Sequence, residues 1–444
     1  MKLKLRVLLM VFLVISFSGC TETNSEIEKV KSDKNDVLIG YGSKYVKKSE
    51  NELWELTVKE YIESDLWNER DRYDAGHFLM VPMHYAFQSE NTEMIELFQK
   101  HFGAFLKTGK NEIDISDDSQ RLSILHYYYL ISRYLILSEN IDLSYEVKIL
   151  NKELNQYLLK EINKIWVEIP AWQWDSPYFE EGMRERVLWK LENKEVDYSY
   201  YRAIIDEELF TMAIAADLYQ LNSEDRMLLD IVNIAYKTFK SEGHFDESNR
   251  WLFQIGVWDD HPDYAYAGYL NKENIKKQSP ITDTAMDSSH FHRFPLWVKS
   301  LEDAFLEKTK ENEMFSRINK GIEKQLFEKV LVVPSRKEPF YKLTNYMDGT
   351  NGLFRWDYST SKGDGYGPSE LSGTFFIGWW TFLGSDRIKK VYEDVYHSFP
   401  LSDQAIKLYV GPNTTRDRNA YIADPESYYN GYKELLALLA SQIK

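Results

Sequence analysis

Apolar residues recur at three- and four-residue spacing along most of the chain, and two kinds of run alternate. Some runs are apolar on nearly every side, which predicts helices surrounded by protein. They are YDAGHFLMVPMHYAFQ (residues 73–88), SQRLSILHYYYLISRYLIL (119–137), YRAIIDEELFTMAIAADLYQL (201–221) and SELSGTFFIGWWTFL (369–383). Others carry an apolar stripe opposite a charged face, which predicts helices with one wet side: residues 91–107, 143–166, 224–240 and 312–330. Further helices are expected over 53–62, 290–305 and 387–396. Asn91 is placed to cap the first amphipathic helix, Pro82 to kink or break the first buried one, and Asp424 with Pro425 to open the last, over 424–442. About twelve to fourteen helices, alternately buried and amphipathic, predict an all-α fold. An inner ring of helices inside an outer ring accounts for the alternation and suits an α/α toroid. A bundle or an open array of helical hairpins also satisfies it. No sequence period is visible, which argues against a regular solenoid.

Three joins are long and rich in aromatic, acidic, glycine and proline residues: IPAWQWDSPYFEEG (169–182), the stretch 258–293, and NYMDGTNGLFRWDYSTSKGDGYGPSE (345–370). Long connections inside a compact domain tend to carry function. Short strands are expected within them, for instance over LFRWDY (353–358). The stretch 258–293 holds three of the nine histidines, His261, His290 and His292, together with Asp259, Asp260, Asp263, Asp283 and Asp287. It is the first candidate for the lining of a cleft.

Composition adds two constraints. Aromatic residues make up 15% of the chain, enough to furnish a large helical core or a wide cleft that stacks sugar rings. The net charge of −16 argues against a nucleic-acid partner and against an anionic lipid surface bound through the protein itself. At the N-terminus, Lys2, Lys4 and Arg6 precede an apolar run over 7–17 that is too short to span a bilayer. The run ends in FSGC, and Cys20 is the only cysteine. Residues 21–50 are too polar to fold alone and are expected to be a flexible tether. Residues 51–444 then form a single domain that holds together without a disulfide. The FSGC ending resembles the bacterial lipoprotein processing site. The resemblance implies a leader over 1–20, a lipidated Cys20 and anchoring to a cell membrane or outer membrane on its extracytoplasmic side. Membrane contact would run through the lipid alone.

The acidic and histidine motifs point to acid–base chemistry. Cleaving a glycosidic bond hydrolytically takes two carboxyl groups placed across it, one protonated and one ionised. In WDDHPDY (258–264) and DSSHFHR (287–293), the candidate pair is Asp260 with either Asp263 or Asp287. Asp is also a capping residue, and Asp260 before Pro262, or Asp287 before Ser288 and Ser289, would open a helix well. His290 and Arg293 share a helix face, while His292 points elsewhere. Such a pair can hold a sugar carboxylate or, with a tyrosine, remove a proton beside one. Trp258, Tyr264, Trp356 and Tyr366 are candidates for stacking on sugars, and His261, His292, Arg293, Asp364 and Glu370 for contacting substrate. Asp74 with His77, and Asp206, Glu207 and Glu208 at the start of a buried helix, could also reach the cavity, since a charge in a buried helix needs a partner or a role. No cofactor is expected, since neither GxxxxGK[ST] nor GxGxxG is present. His261, His290 or His292 with Asp263 are metal-ligand types, but histidines two apart chelate from a loop or strand and not from a helix, and no metal is assigned. GxSxG and HExxH are also absent. DDHPD fits the DDxxD magnesium motif of terpene synthases, but it has no second metal motif beside it, and an exported lipoprotein has no isoprenoid diphosphate supply.

The helix alternation over 51–444, with the aromatic–acidic loops WDDHPDYAYAGY (258–269) and GYGPSE (365–370), resembles the six-hairpin α/α-toroid superfamily of glycoside hydrolases and polysaccharide lyases. The resemblance implies a toroid of hairpins with long aromatic loops on one rim, and a carbohydrate substrate. The Asn-Asn-His element of several toroid lyases has no match here, and DSSHFHR is a distant counterpart. The function expected first is a surface-anchored glycoside hydrolase working through a carboxyl pair. Another is a polysaccharide lyase acting on uronate polymers, with His290 or Tyr264 as base and Arg293 neutralising the uronate. The third is a non-catalytic lipoprotein that binds glycans or partners.

Overall fold

The computed structural model describes residues 46–174, 178–271, 281–356, 365–412 and 418–444. Residues Lys48–Lys444 form one compact unit. Cys20, Asp364 and most of the expected tether lie outside the described residues.

The described chain is mostly helical. Helix α1 (Glu50–Leu56) opens on a capping box between Ser49 and Glu52, and α2 (Val58–Ile62) follows. α3 (Glu69–Phe78), capped by Asn68, and α4 (Met80–Gln88) are two parts of one buried run, broken at Leu79. The break has a cause in Pro82, whose ring would clash with the carbonyl four residues back, at Phe78. α5 (Thr92–Lys107) is capped by Asn91, which accepts from the Met94 N–H. Next come α6 (Asp118–Ser138), α7 (Tyr145–Asn163), α8 (Gly182–Glu192), α9 (Asp206–Leu221) and α10 (Arg226–Glu242). The strands β1 (Gly243–Phe245) and β2 (Trp251–Phe253) pair antiparallel. α11 (Ser288–Phe291), α12 (Phe294–Asp303) and α13 (Lys310–Gln325) follow, then a second antiparallel pair, β3 (Leu331–Val332) and β4 (Lys342–Leu343). The chain closes with α14 (Asp386–His397), α15 (Asp403–Val410) and α16 (Tyr432–Gln442). No described helix is long and apolar enough to cross a membrane.

Several expected elements differ: the helix over 53–62 is broken at Thr57 into α1 and α2, and that over 201–221 starts at Asp206. The helix expected over 290–305 is split into α11 and α12, because Pro295 would clash with the Phe291 carbonyl. Residues 369–383 form two 3-10 helices, Ser372–Ile377 and Trp379–Leu383, around Gly378 at φ 89°, a conformation that favours glycine. The last helix starts at Tyr432, after Gly431, and Asp424 does not cap it; its carboxylate accepts from the Ser427 hydroxyl instead. Within 353–358, Phe354 pairs with Tyr366 in an isolated bridge, and Asp357 and Tyr358 lie outside the described residues.

The buried helices pack on one another. α6 lies between α3 and α9, α9 also meets α12, and α16 meets α4. Gly76 lets α3 approach α6: a Cβ there would stand 2.6 Å from the His126 carbonyl oxygen. Several charges inside the packing are paired. Arg133 on α6 meets Asp217 on α9 at 2.8 Å. Arg186 and Lys190 on α8 meet Glu208 at 2.8 Å each, and Arg186 meets Glu207 at 3.1 Å. Glu207 and Glu208 are therefore structural partners of α8.

Candidate active site

The middle of α3, the segment 289–293, and parts of 354–377, 409–412 and 418–433 enclose a cleft of about 890 Å³. The short helix α11 puts an imidazole on its wall. Asp287 caps this helix, accepting from the N–H groups of Ser289 and His290 at 3.1 Å each. The same carboxylate, 1% exposed, accepts from the Tyr264 hydroxyl at 3.0 Å, from the Ser289 hydroxyl and from His290 Nδ1 at 2.8 Å. Burial opposes ionisation of Asp287, but the charge and hydrogen bond of His290 outweigh it and hold the carboxyl well below the usual range. The His290 ring is thus fixed by its Nδ1–H, and Nε2 has no partner among the described residues. Tyr264 is buried behind this pair, and burial and the Asp287 charge push its phenol up. It keeps its proton and donates to Asp287, which removes it from the role of base.

Beneath the cleft, Arg293 is fully engaged. Its Nε–H donates to His77 Nε2 at 3.1 Å, one Nη to the Tyr73 oxygen at 2.8 Å, and the other to Asp206. His77 Nδ1 donates in turn to the Tyr73 carbonyl at 3.1 Å. This arrangement requires the neutral Nδ1–H tautomer, and burial keeps the His77 pKa well below its ordinary value. His126 stacks 4.3 Å from His77, and burial lowers its pKa and that of His292 strongly as well. Tyr73 accepts from Arg293, so its own O–H is turned elsewhere, and the residue lines the cleft.

Arg355 stands on another wall. Its Nε donates to Asp263 at 3.0 Å and its backbone N–H to the Asp263 carbonyl at 2.9 Å. Glu370 lines the cleft and accepts from the Gly367 N–H at 2.6 Å. Where α3 meets α16, Asp74 receives two 2.8 Å hydrogen bonds from Arg70, with Arg418 and Lys433 on the same wall.

The cleft lining brings together His290, His292, Arg293, Tyr366 and Glu370, with Asp287 directly under His290. Asp263 and Tyr264 lie behind the lining. Asp260 is outside it, capping the 3-10 helix Ser199–Arg202 with 2.7 Å bonds from the Ser199 N–H and hydroxyl. Asp259 likewise staples the loop at Asp283 and Thr284. His261 accepts from the Asp263 N–H. Trp258 stacks on Tyr264, with ring centres 5.8 Å apart, and neither Trp258 nor Trp356 is among the lining residues. Among the described residues, no group of His, Cys, Asp and Glu is arranged to hold a metal ion.

Sequence reasoning passed over Arg70, Tyr73, Arg355, Arg418 and Lys433. A signal existed for the first two: Arg70, Tyr73, Asp74 and His77 fall at i, i+3, i+4 and i+7, a polar stripe on an otherwise buried helix. No family model matches the chain, and none of the curated proteins compared with it is similar.

Proposed function

We propose that the protein is a carbohydrate-active enzyme that cleaves uronate-containing glycans by β-elimination, with His290 as the base. The supporting observation is the His290–Asp287 pair on the cleft wall. In the neutral imidazole, an ionised carboxylate that fixes Nδ1–H leaves Nε2 as the proton acceptor, and it stabilises the imidazolium that forms. In the reaction, His290 takes the proton from C5 of the uronate. The C–H electrons become the C4=C5 bond, the C4–O bond breaks, and the leaving oxygen picks up a proton. Arg355 is the residue to meet the uronate carboxylate, because it lines the cleft close enough to the His290–Asp287 pair for its charge to act on Asp287. Tyr73, with its O–H turned away from Arg293, is the proton donor to the leaving oxygen. Tyr366 offers a ring for sugar stacking.

A glycoside-hydrolase reading rests on a different observation. Glu370 is a cleft carboxylate with no cation partner among the described residues, while the other cleft acids, Asp74 and Asp424, stand beside cations. Incubation with a panel of uronate polymers separates the readings. Elimination gives a product whose C=C bond, conjugated to the carboxylate, absorbs in the ultraviolet. Hydrolysis gives new reducing ends without that absorbance. Binding with no cleavage would leave a non-catalytic glycan-binding protein.

We infer further that the helices are arranged as an α/α toroid. Support comes from the packing order: α3 on α6, α6 on α9, α9 on α12, α12 on Trp379–Leu383, that turn on α16, and α16 on α4. The amphipathic α5, α7, α10, α13 and α14 each pack against one of these. We also propose that Cys20 carries a lipid that holds the domain on the extracytoplasmic side of a cell or outer membrane, on the strength of the FSGC ending. Cys20→Ser should move the protein from the membrane fraction to the soluble one; unchanged partitioning would refute the anchor.

A further inference from the structure

The wall of the cleft where α3 meets α16 holds a cation that the elimination scheme does not use. Lys433, in the first turn of α16, is 2% exposed and lines the cleft. A buried ammonium has three N–H donors and needs acceptors for them. Among the described residues it makes no hydrogen bond. Its nearest carboxylate, Asp424, stands at 3.9 Å, beyond hydrogen-bond distance. The ammonium lies instead over the rings of Phe78, at 4.4 Å, and Tyr428, at 5.6 Å. Burial lowers its pKa, as befits a charge short of partners.

Asp424 is not a dedicated counter-ion. It accepts from the Ser427 hydroxyl and is shared with Arg418 at 4.0 Å. Arg418 has a spare donor too. Its Nε is buried and makes no hydrogen bond among the described residues, where the nearest carboxylate oxygen is that of Asp74 at 3.5 Å. Arg70 completes the group from α3. Among the described residues, three cations thus share two carboxylates, Asp74 and Asp424. These groups carry a surplus positive charge, with unused N–H donors on Lys433, in the cavity lining, and on the buried Nε of Arg418.

We propose that Lys433, Arg418 and Arg70 form a second anion subsite in the cleft, which holds the carboxylate or sulfate ester of a sugar unit other than the one that reacts. Only the identity of that sugar rests on the elimination reading; the anion site stands on its own geometry. A compact ammonium beside a guanidinium suits either oxyanion. The preferred substrate is then a glycan with acidic groups on more than one unit.

The test is independent of catalysis. The thermal midpoint of the full chain is followed on titration with sodium sulfate and with sodium acetate, ionic strength being held constant with chloride. An anion bound to the native state raises the midpoint. Wild type should gain stability with sulfate or acetate beyond that with chloride, and the stronger of the two identifies the group. Lys433→Met and Arg418→Gln should each lose at least half of that gain, measured against each variant's own starting midpoint. If neither anion outperforms chloride, or if both variants respond as wild type does, the subsite is refuted. A second measurement compares kcat/KM on a fully charged uronate oligomer and on a partly methyl-esterified one. The wild-type preference for the charged oligomer, about tenfold or more, should shrink in Lys433→Met; an undiminished preference counts against the subsite. A positive anion titration with no elimination on any glycan would overturn the proposed reaction and keep the subsite.

Discussion

Asp287 carries more of the proposed site than any other single side chain. It caps α11, takes the Tyr264 hydroxyl and fixes the His290 ring. Asp287→Asn would keep a capping oxygen and lose the charge behind the imidazole, so kcat should fall at least about a hundredfold with the fold intact. The carboxyl titrates below its ordinary range in the folded state. Its contribution to stability is therefore present above about pH 4 and is lost as the pH falls below that. Acid titration of the thermal midpoint should show this component in wild type and not in Asp287→Asn. Asp260 gives the opposite expectation. Asp260→Ala should lower stability by about 1 kcal/mol through the lost cap of Ser199–Arg202 and leave kcat/KM within about twofold; a large loss of activity would put Asp260 back at the chemistry. Asp259, Asp260, Asp263 and Asp287 share one short stretch of sequence, yet a capping carboxylate and a cleft carboxylate are the same residue type. Only the partner tells them apart: Ser199, 61 residues away for Asp260, and Arg355, 92 away for Asp263.

At the scale of elements, apolar periodicity carried most of the information. α5, α10 and α13 stand close to where their stripes put them, because a single wet face leaves one way to pack. The all-round apolar runs were harder to bound. Pro82 and Pro295 each end a helix at the residue whose carbonyl the ring would strike, whereas Gly378 divides the apolar run 369–383 into two 3-10 turns. The α8–α9 contact depends on charges that sequence could not pair. Arg186, Lys190 and Glu208 are all buried, and each is held by the others. Removing Glu208 leaves two buried cations without their main partner, so Glu208→Ala should cost about 3–5 kcal/mol in denaturant unfolding. A loss below about 1 kcal/mol would mean that water reaches the network.

At the scale of the molecule, the buried histidines couple stability to pH. His77, His84, His126 and His292 are held neutral by burial, and His101 is lowered to about 4. The unfolded chain takes up protons on these groups below about pH 6.5 while the folded chain does not. Stability should therefore fall as the pH drops from about 6.5 towards 4, ahead of most carboxylates, and a thermal midpoint flat between pH 7 and pH 5 would contradict this. The cleft is also a property of the whole molecule. Its charged groups come from α3, the 355 loop, residue 418 and the start of α16, positions that no local pattern links. The sequence pointed to 287–293, to Tyr366 and Glu370, and to Asp74 with His77, and was silent on the cations Arg70, Arg418 and Lys433 beside Asp74. The central claim is that His290 removes a proton from carbon, and it is tested most directly by the rate at which the ultraviolet-absorbing product forms from a uronate polymer. Wild type should form that product, and His290→Ala, with its thermal midpoint preserved, should form it at least about a hundredfold more slowly. A His290→Ala rate close to that of wild type, or cleavage by wild type with no absorbing product, would contradict it.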